Sequence, residues 1–169
     1  MVYRNVRKLA LAFMVAGTVG FFGNGNQVPA AGAQAGCNAG VVINDGWGGH
    51  VLNGGNGNDT IFGDLGSDTI SGYDCNDALN GGDGADGIYG GDGSDTVNGD
   101  DGEDYVWGES GNDALYGNSG HDHLYGGNDN DYIYGGNGDD YIDGGPGYDV
   151  CFGGNGNDTI VNCEKVNYN

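Results

Sequence analysis

An aliphatic residue returns at almost every ninth position from Ile61 onward, and most residues between are glycine, aspartate or another small polar type. Cut from Gly54, the chain gives twelve nine-residue units without insertion or deletion: GGNGNDTIF, GDLGSDTIS, GYDCNDALN, GGDGADGIY, GGDGSDTVN, GDDGEDYVW, GESGNDALY, GNSGHDHLY, GGNDNDYIY, GGNGDDYID, GGPGYDVCF and GGNGNDTIV. Position 1 is Gly in all twelve, position 4 is Gly in ten, and position 6 is Asp in all twelve. Position 8 is Ile, Leu, Val or, once, Cys151. Positions 1–6 read as a turn, because glycine permits positive φ and close approach of backbones. Positions 7–9 alternate outward, inward, outward, and read as a very short strand with one buried residue. One apolar residue per nine cannot bury a core alone. Stacked units turn those residues into a continuous column, with each strand pairing to the next coil at about 4.8 Å. The pattern therefore predicts an all-β parallel solenoid. A flexible Gly/Asp/Asn linker would not hold four columns in register over 108 residues.

The ends break the pattern. DGWGGHVLN, residues 45–53, fits the frame as a decayed unit, with His50 at the aspartate position and Leu52 at the apolar one. Solenoids need atypical ends to cover the core, so residues 36–53 read as an N-terminal cap, 54–161 as the repeat domain and 162–169 as a C-terminal cap. Residues 1–35 resemble a secretory signal peptide: basic MVYRNVRK, the apolar run LALAFMVAGTVGFF, then GNGNQVPAAGAQA with small residues suited to cleavage. Cleavage after Ala35 would leave Gly36 at the mature end; Ala33 is the other candidate site. The apolar run is short for a membrane span. QAGC before Cys37 has Gln34 where a lipobox carries leucine.

Charge narrows the partners. The chain has 25 acidic residues against four Lys and Arg, and Arg4, Arg7 and Lys8 fall in the leader. Lys165 is then the only strong base left. Nucleic acid and anionic membranes need cationic patches, so neither is an expected partner, and a cation is. Cys37, Cys75, Cys151 and Cys163 allow three disulfide connectivities. The closeness of Cys151 and Cys163 favours that pair, with Cys37–Cys75 the remainder, and an even count suits an exported protein.

The columns resemble the G-G-x-G-x-D-x-U-x signature of the RTX family, the hemolysin-type calcium-binding repeats. The resemblance covers residues 54–161 and implies a right-handed β-roll, two nonapeptides to a coil, with calcium between units n and n+2. It implies as metal ligands the position-6 carboxylates of Asp59, Asp68, Asp77, Asp86, Asp95, Asp104, Asp113, Asp122, Asp131, Asp140, Asp149 and Asp158, together with backbone oxygens of the turns. The position-1 glycines Gly54, Gly63, Gly72, Gly81, Gly90, Gly99, Gly108, Gly117, Gly126, Gly135, Gly144 and Gly153 belong to that set. Two stacks of six turns leave about ten gaps. Calcium is a hard cation that takes six to eight oxygens, and the columns hold no imidazole or thiolate to favour zinc or copper. The columns depart at Asp64, Tyr73, Asp100, Glu109 and Asn118 in position 2 and at Cys75 and Asp129 in position 4, which marks the sites around units three and nine as weaker or differently shaped. Asp129 reads either as an added ligand or as a strained turn.

Aromatics collect at position 9. Tyr89, Trp107 and Tyr125 fall on one face, and Tyr116, Tyr134 and Phe152 on the other. They read as cross-strand ladders that stabilise thin sheets, or as a platform for glycans or a cell-surface partner, testable by Trp107→Ala. His121 and His123 read as solvated surface. No HExxH or GxSxG occurs, and 18 residues between leader and repeats cannot hold a catalytic domain. The expectation is a secreted calcium-binding roll whose folding is coupled to Ca²⁺, not an enzyme, with an adhesion or glycan-binding protein as the alternative.

Overall fold

A computed structural model describes residues 20–22, 37 and 39–167. Its strands are β1 (Gly20–Phe22), β2 (Ala39–Asn44), β3 (Val51–Asn56), β4 (Asn58–Phe62), β5 (Thr69–Asp74), β6 (Ala78–Asp83), β7 (Gly87–Asp92) and β8 (Thr96–Asp101). They continue as β9 (Tyr105–Ser110), β10 (Ala114–Ser119), β11 (His123–Asn128), β12 (Tyr132–Asn137), β13 (Tyr141–Asp143), β14 (Val150–Asn155), β15 (Thr159–Val161) and β16 (Lys165–Asn167). Even-numbered strands, with β1 outermost beside β2, form one parallel sheet; odd-numbered strands from β3 to β15 form the other. Successive strands alternate between the sheets, so the chain winds as a β-solenoid. No helix occurs among the described residues, so none is long and apolar enough to cross a membrane.

The register is two units per coil. Leu79 pairs with Val97, Leu115 with Ile133, and Ile88 with Val106, each 18 residues apart. The position-8 side chains from Leu52 to Cys151 meet between the sheets as one column, ten of them fully buried or 1% exposed from Ile61 to Ile142. Each fully buried aliphatic contributes about 1.5–3 kcal/mol relative to exposure. The sheets are held apart by a single layer of these residues, so the core is long and thin.

Two details differ from the sequence reading. Most strands run six residues, not three, because the ladder continues through positions 1–3 of the next unit. The turn proper is positions 4–6. The N-terminal cap also extends the frame one unit further, since β2 sets Ile43 opposite Ile61 and adds it to the core. Both disulfides form as the sequence favoured: Cys37–Cys75 ties the cap to the third unit, and Cys151–Cys163 ties the core column to the C-terminal cap. Apart from β1, the segment read as a leader lies outside the described residues, as do both candidate cleavage sites.

Candidate metal sites along the stacked turns

Position 6 closes each turn and carries its side chain into the roll. Asp59 and every position-6 aspartate through Asp149 are at most 3% exposed, while Asp158 beneath the C-terminal cap is half-buried. One carboxylate oxygen is already committed. Oδ1 accepts a hydrogen bond from the backbone N–H of the position-6 residue one coil earlier: Asp59 donates to Asp77 at 2.7 Å, Asp86 to Asp104 at 2.8 Å and Asp122 to Asp140 at 3.0 Å. Each turn is thereby fastened to its neighbour in the same stack. The two series start at Val41 and His50, whose N–H groups donate to Asp59 and Asp68 at 2.6 Å. One ends at Glu164, whose carboxylate accepts from Asp149 at 2.6 Å. Sequence reasoning missed Glu164, because the cap sets it 15 residues after Asp149 instead of 18.

The other oxygen, Oδ2, is buried without a hydrogen-bond partner in Asp59, Asp68, Asp77, Asp86, Asp95, Asp104, Asp113, Asp122, Asp131, Asp140 and Asp149. A buried acceptor left unsatisfied costs about 1–3 kcal/mol, and more when it carries charge. No lysine or arginine offsets them among the described residues, where the only ion pair is His50 with Asp45. Burial accordingly pushes the carboxyls up. Asp77, Asp104 and Asp131 rise to about 7, and Asp95, Asp113 and Asp122 to about 6. The hydrogen bond from the preceding turn opposes this rise but does not cancel it.

Glycine at position 1 makes room for these carboxylates. A Cβ on Gly108 would collide with Asp113 Oδ2 of its own unit and lie 2.5 Å from the Gly126 carbonyl oxygen of the next coil. The same two neighbours, a carboxylate and a carbonyl, recur from Gly54 to Gly135. None of the twelve position-1 glycines has a positive φ, so space and not backbone freedom fixes the residue. A carboxylate oxygen and a carbonyl oxygen thus converge from consecutive coils. This is an all-oxygen donor set of the kind hard divalent cations take, and the unpartnered Oδ2 atoms fit that role.

Positive φ falls instead at position 2, in every unit. Asp64, Tyr73, Asp100, Glu109 and Asn118 adopt it at 68–81°, where side chains other than glycine are strained by about 1–2 kcal/mol. Cys75 (φ 85°) and Asp129 (φ 76°) do the same at position 4. Asp129 is exposed, and its positive φ agrees with the strained-turn reading.

The aromatics divide by sheet. Tyr89 stacks on Trp107 at 4.6 Å with planes 3° apart, and Trp107 on Tyr125 at 5.6 Å and 7°. Position 7 adds a second column that the sequence reading left out. Tyr105 stacks on His123 at 4.5 Å, and His123 leans on Tyr141. His123 is therefore half-buried in a ladder and not solvated surface; His121 is exposed. On the other sheet Tyr116 and Phe152 pack against Tyr132 of position 7, in place of the expected column through Tyr134.

The family model of the RTX calcium-binding nonapeptide repeat (4 copies) matches residues 53–88, 81–115, 89–124, 116–151 and 125–160. Comparison with curated proteins gives no match.

Proposed function

Because this chain belongs to the family of RTX calcium-binding nonapeptide repeats, we propose that it is an exported protein whose roll folds as calcium enters the gaps between its coils. The observation that carries the reading is the series of buried, unpartnered Oδ2 atoms with no cationic side chain to match them among the described residues. Bound there, calcium supplies divalent positive charge to hard oxygen ligands. The position-6 carboxylates present that oxygen from Asp59 to Asp158, and the position-1 carbonyls face them from the next coil. Position-1 glycine keeps the gap open. Position-8 residues close the core only once the coils are stacked, so the binding free energy of the ions acts as folding free energy. Before binding, the acids repel one another and the thin core does not hold the chain.

Export follows from the leader-like N-terminus and from two disulfides that fit an oxidising compartment. Extracellular calcium exceeds cytosolic calcium, so the chain would leave unfolded and fold outside. The domain limits at 35, 53 and 161 belong to the same proposal, as does a structural and not a catalytic role. Equilibrium dialysis of the secreted chain against radioactive calcium tests the sites. Several ions per chain are expected, falling in number as position-6 aspartates are changed to Asn; one ion or none refutes the reading. The mass of the secreted protein checks the leader, with Gly36 expected at its start.

A glycan-binding role has one observation in its favour. The position-9 ladder ends at Tyr89 and Tyr125, and an open groove lies at each end, lined by Ser71, Tyr73, Tyr89 and Glu109 or by Tyr125, Asp143, Pro146 and Asn162. Inside the ladder the ring faces are turned to one another, which favours stabilisation over sugar stacking. Under this second reading the chain would be retained on a glycan array and Tyr125→Ala would abolish that retention; under the first the chain would not be retained.

A further inference from the structure

The N-terminal cap departs from the repeat at two linked positions. In the twelve units, Gly stands at position 1 because the position-6 carboxylate fills the space beside it. In residues 45–53 the acid has moved: Asp45 takes position 1 and His50 takes position 6. The two side chains meet, His50 Nδ1 against Asp45 Oδ2. The next coil adds Asp68, whose Oδ1 accepts the His50 backbone N–H at 2.6 Å and whose Oδ2 is buried and unpartnered. One ligand atom from each of Asp45, His50 and Asp68 lies within 4.8 Å of the others. Elsewhere among the described residues, position 6 of the stacked turns offers carboxylate oxygen alone from Asp59 to Asp158. At this end an imidazole nitrogen joins two carboxylates.

We propose that Asp45, His50 and Asp68 form a separate site for one borderline divalent transition-metal ion of the zinc class. Imidazole and carboxylate together suit Zn²⁺, Co²⁺ or Ni²⁺ and not calcium, which takes oxygen. Zinc needs ligand atoms about 3.3 Å apart around a tetrahedron with bonds of about 2.0 Å, so the Asp45–His50 contact would open and Asp68 would draw in toward the pair. The Asp45 side chain is 4% exposed and the His50 side chain 33%. The site is therefore walled by the cap on one side and open to water on the other, which leaves a position for a solvent ligand. The ion would replace the proton shared by His50 and Asp45 and fasten the cap to the first full coil of that stack. The inference does not depend on calcium filling the other gaps, although Asp68 would serve both neighbours.

Calorimetric titration of the calcium-saturated full chain with Zn²⁺ tests it, with the visible absorption of added Co²⁺ as a second probe. One Zn²⁺ per chain is expected, with tetrahedral Co²⁺ bands that Zn²⁺ displaces. His50→Ala and Asp45→Asn should each weaken Zn²⁺ at least tenfold while the circular dichroism of the calcium-bound chain stays unchanged. His121→Ala and His123→Ala should leave it intact. Absence of Zn²⁺ binding overturns the proposal. So does binding that survives His50→Ala, or that is lost with His121 or His123. Calcium stoichiometry, measured separately, reports on the repeat sites alone, so the two readings fail independently.

Discussion

At the scale of single residues, Gly108 and Gly87 differ only in what a methyl group would meet. A Cβ on Gly108 runs into Asp113 and the next coil; a Cβ on Gly87 meets nothing closer than a Tyr89 carbon at 4.0 Å. Gly108→Ala should destabilise the calcium-bound roll by about 1–3 kcal/mol. Gly87→Ala, inside β7, should be neutral or stabilise it by up to about 1 kcal/mol. Chemical denaturation in saturating calcium separates the two. Glu109 holds φ at 77° where a glycine would sit without strain. Glu109→Gly should raise stability by about 0.5–1 kcal/mol, the relief of a left-handed side chain less the added freedom of the unfolded glycine. No change, or a loss, would show that the Glu109 side chain contributes more than its backbone costs. The buried aspartates also set a pH dependence. Burial raises their folded pKa, to about 7 in Asp77, Asp104 and Asp131, from 3.8 in the unfolded chain. The calcium-free fold therefore binds more protons than the unfolded chain between these values. Its stability is fully present below the unfolded pKa and is lost as pH rises through the folded one. In excess chelator, acidification from about pH 8 to about pH 5 should increase the β-sheet signal. In calcium the same change should weaken binding, because protons compete for Oδ2.

At the scale of elements, the repeat was legible because its period is a physical constraint. Ile61, Ile70 and the rest of position 8 must face one column, and nine residues return the chain to it on the opposite sheet. What was not legible came from contacts between coils. Glycine and aspartate at positions 1–3 carry no strand propensity, yet the ladder between the two coils extends β6 through Asp83 and β8 through Asp101. Val41 and Glu164 act as ends of the aspartate series through a backbone N–H and a shifted register, which no residue type announces. Of the candidate site, position 6 was readable as a column of aspartates. The role of position 1 was not, since its glycines looked like turn formers and are spacers. The C-terminal staple acts at this scale too. Cys151→Val with Cys163→Ala removes closure of a 12-residue separation and should lower stability by about 2–3 kcal/mol. Hydrogen exchange should then speed up first in β14 and β16 and leave β6 to β10 protected. Uniform loss of protection would show that the roll unfolds as a single unit.

At the scale of the whole molecule, a thin core is set against a dense column of acids. Twelve buried apolar residues lie in a single layer, and eleven buried carboxylates lie alongside them with an unpaired oxygen each. A solenoid makes this balance cooperative over short range. Each coil touches only its neighbours, so stacking one coil favours the next. Under the proposed reading, a chain that stacks only at extracellular calcium would remain open inside a cell and close outside. The most direct measurement is far-ultraviolet circular dichroism of the mature chain at neutral pH, first in excess chelator and then through a calcium titration. The account predicts a disordered spectrum in chelator and a steep, saturable rise of β-sheet signal with calcium, reversed when chelator is restored. A full β-sheet spectrum in chelator, unchanged by calcium, would contradict it.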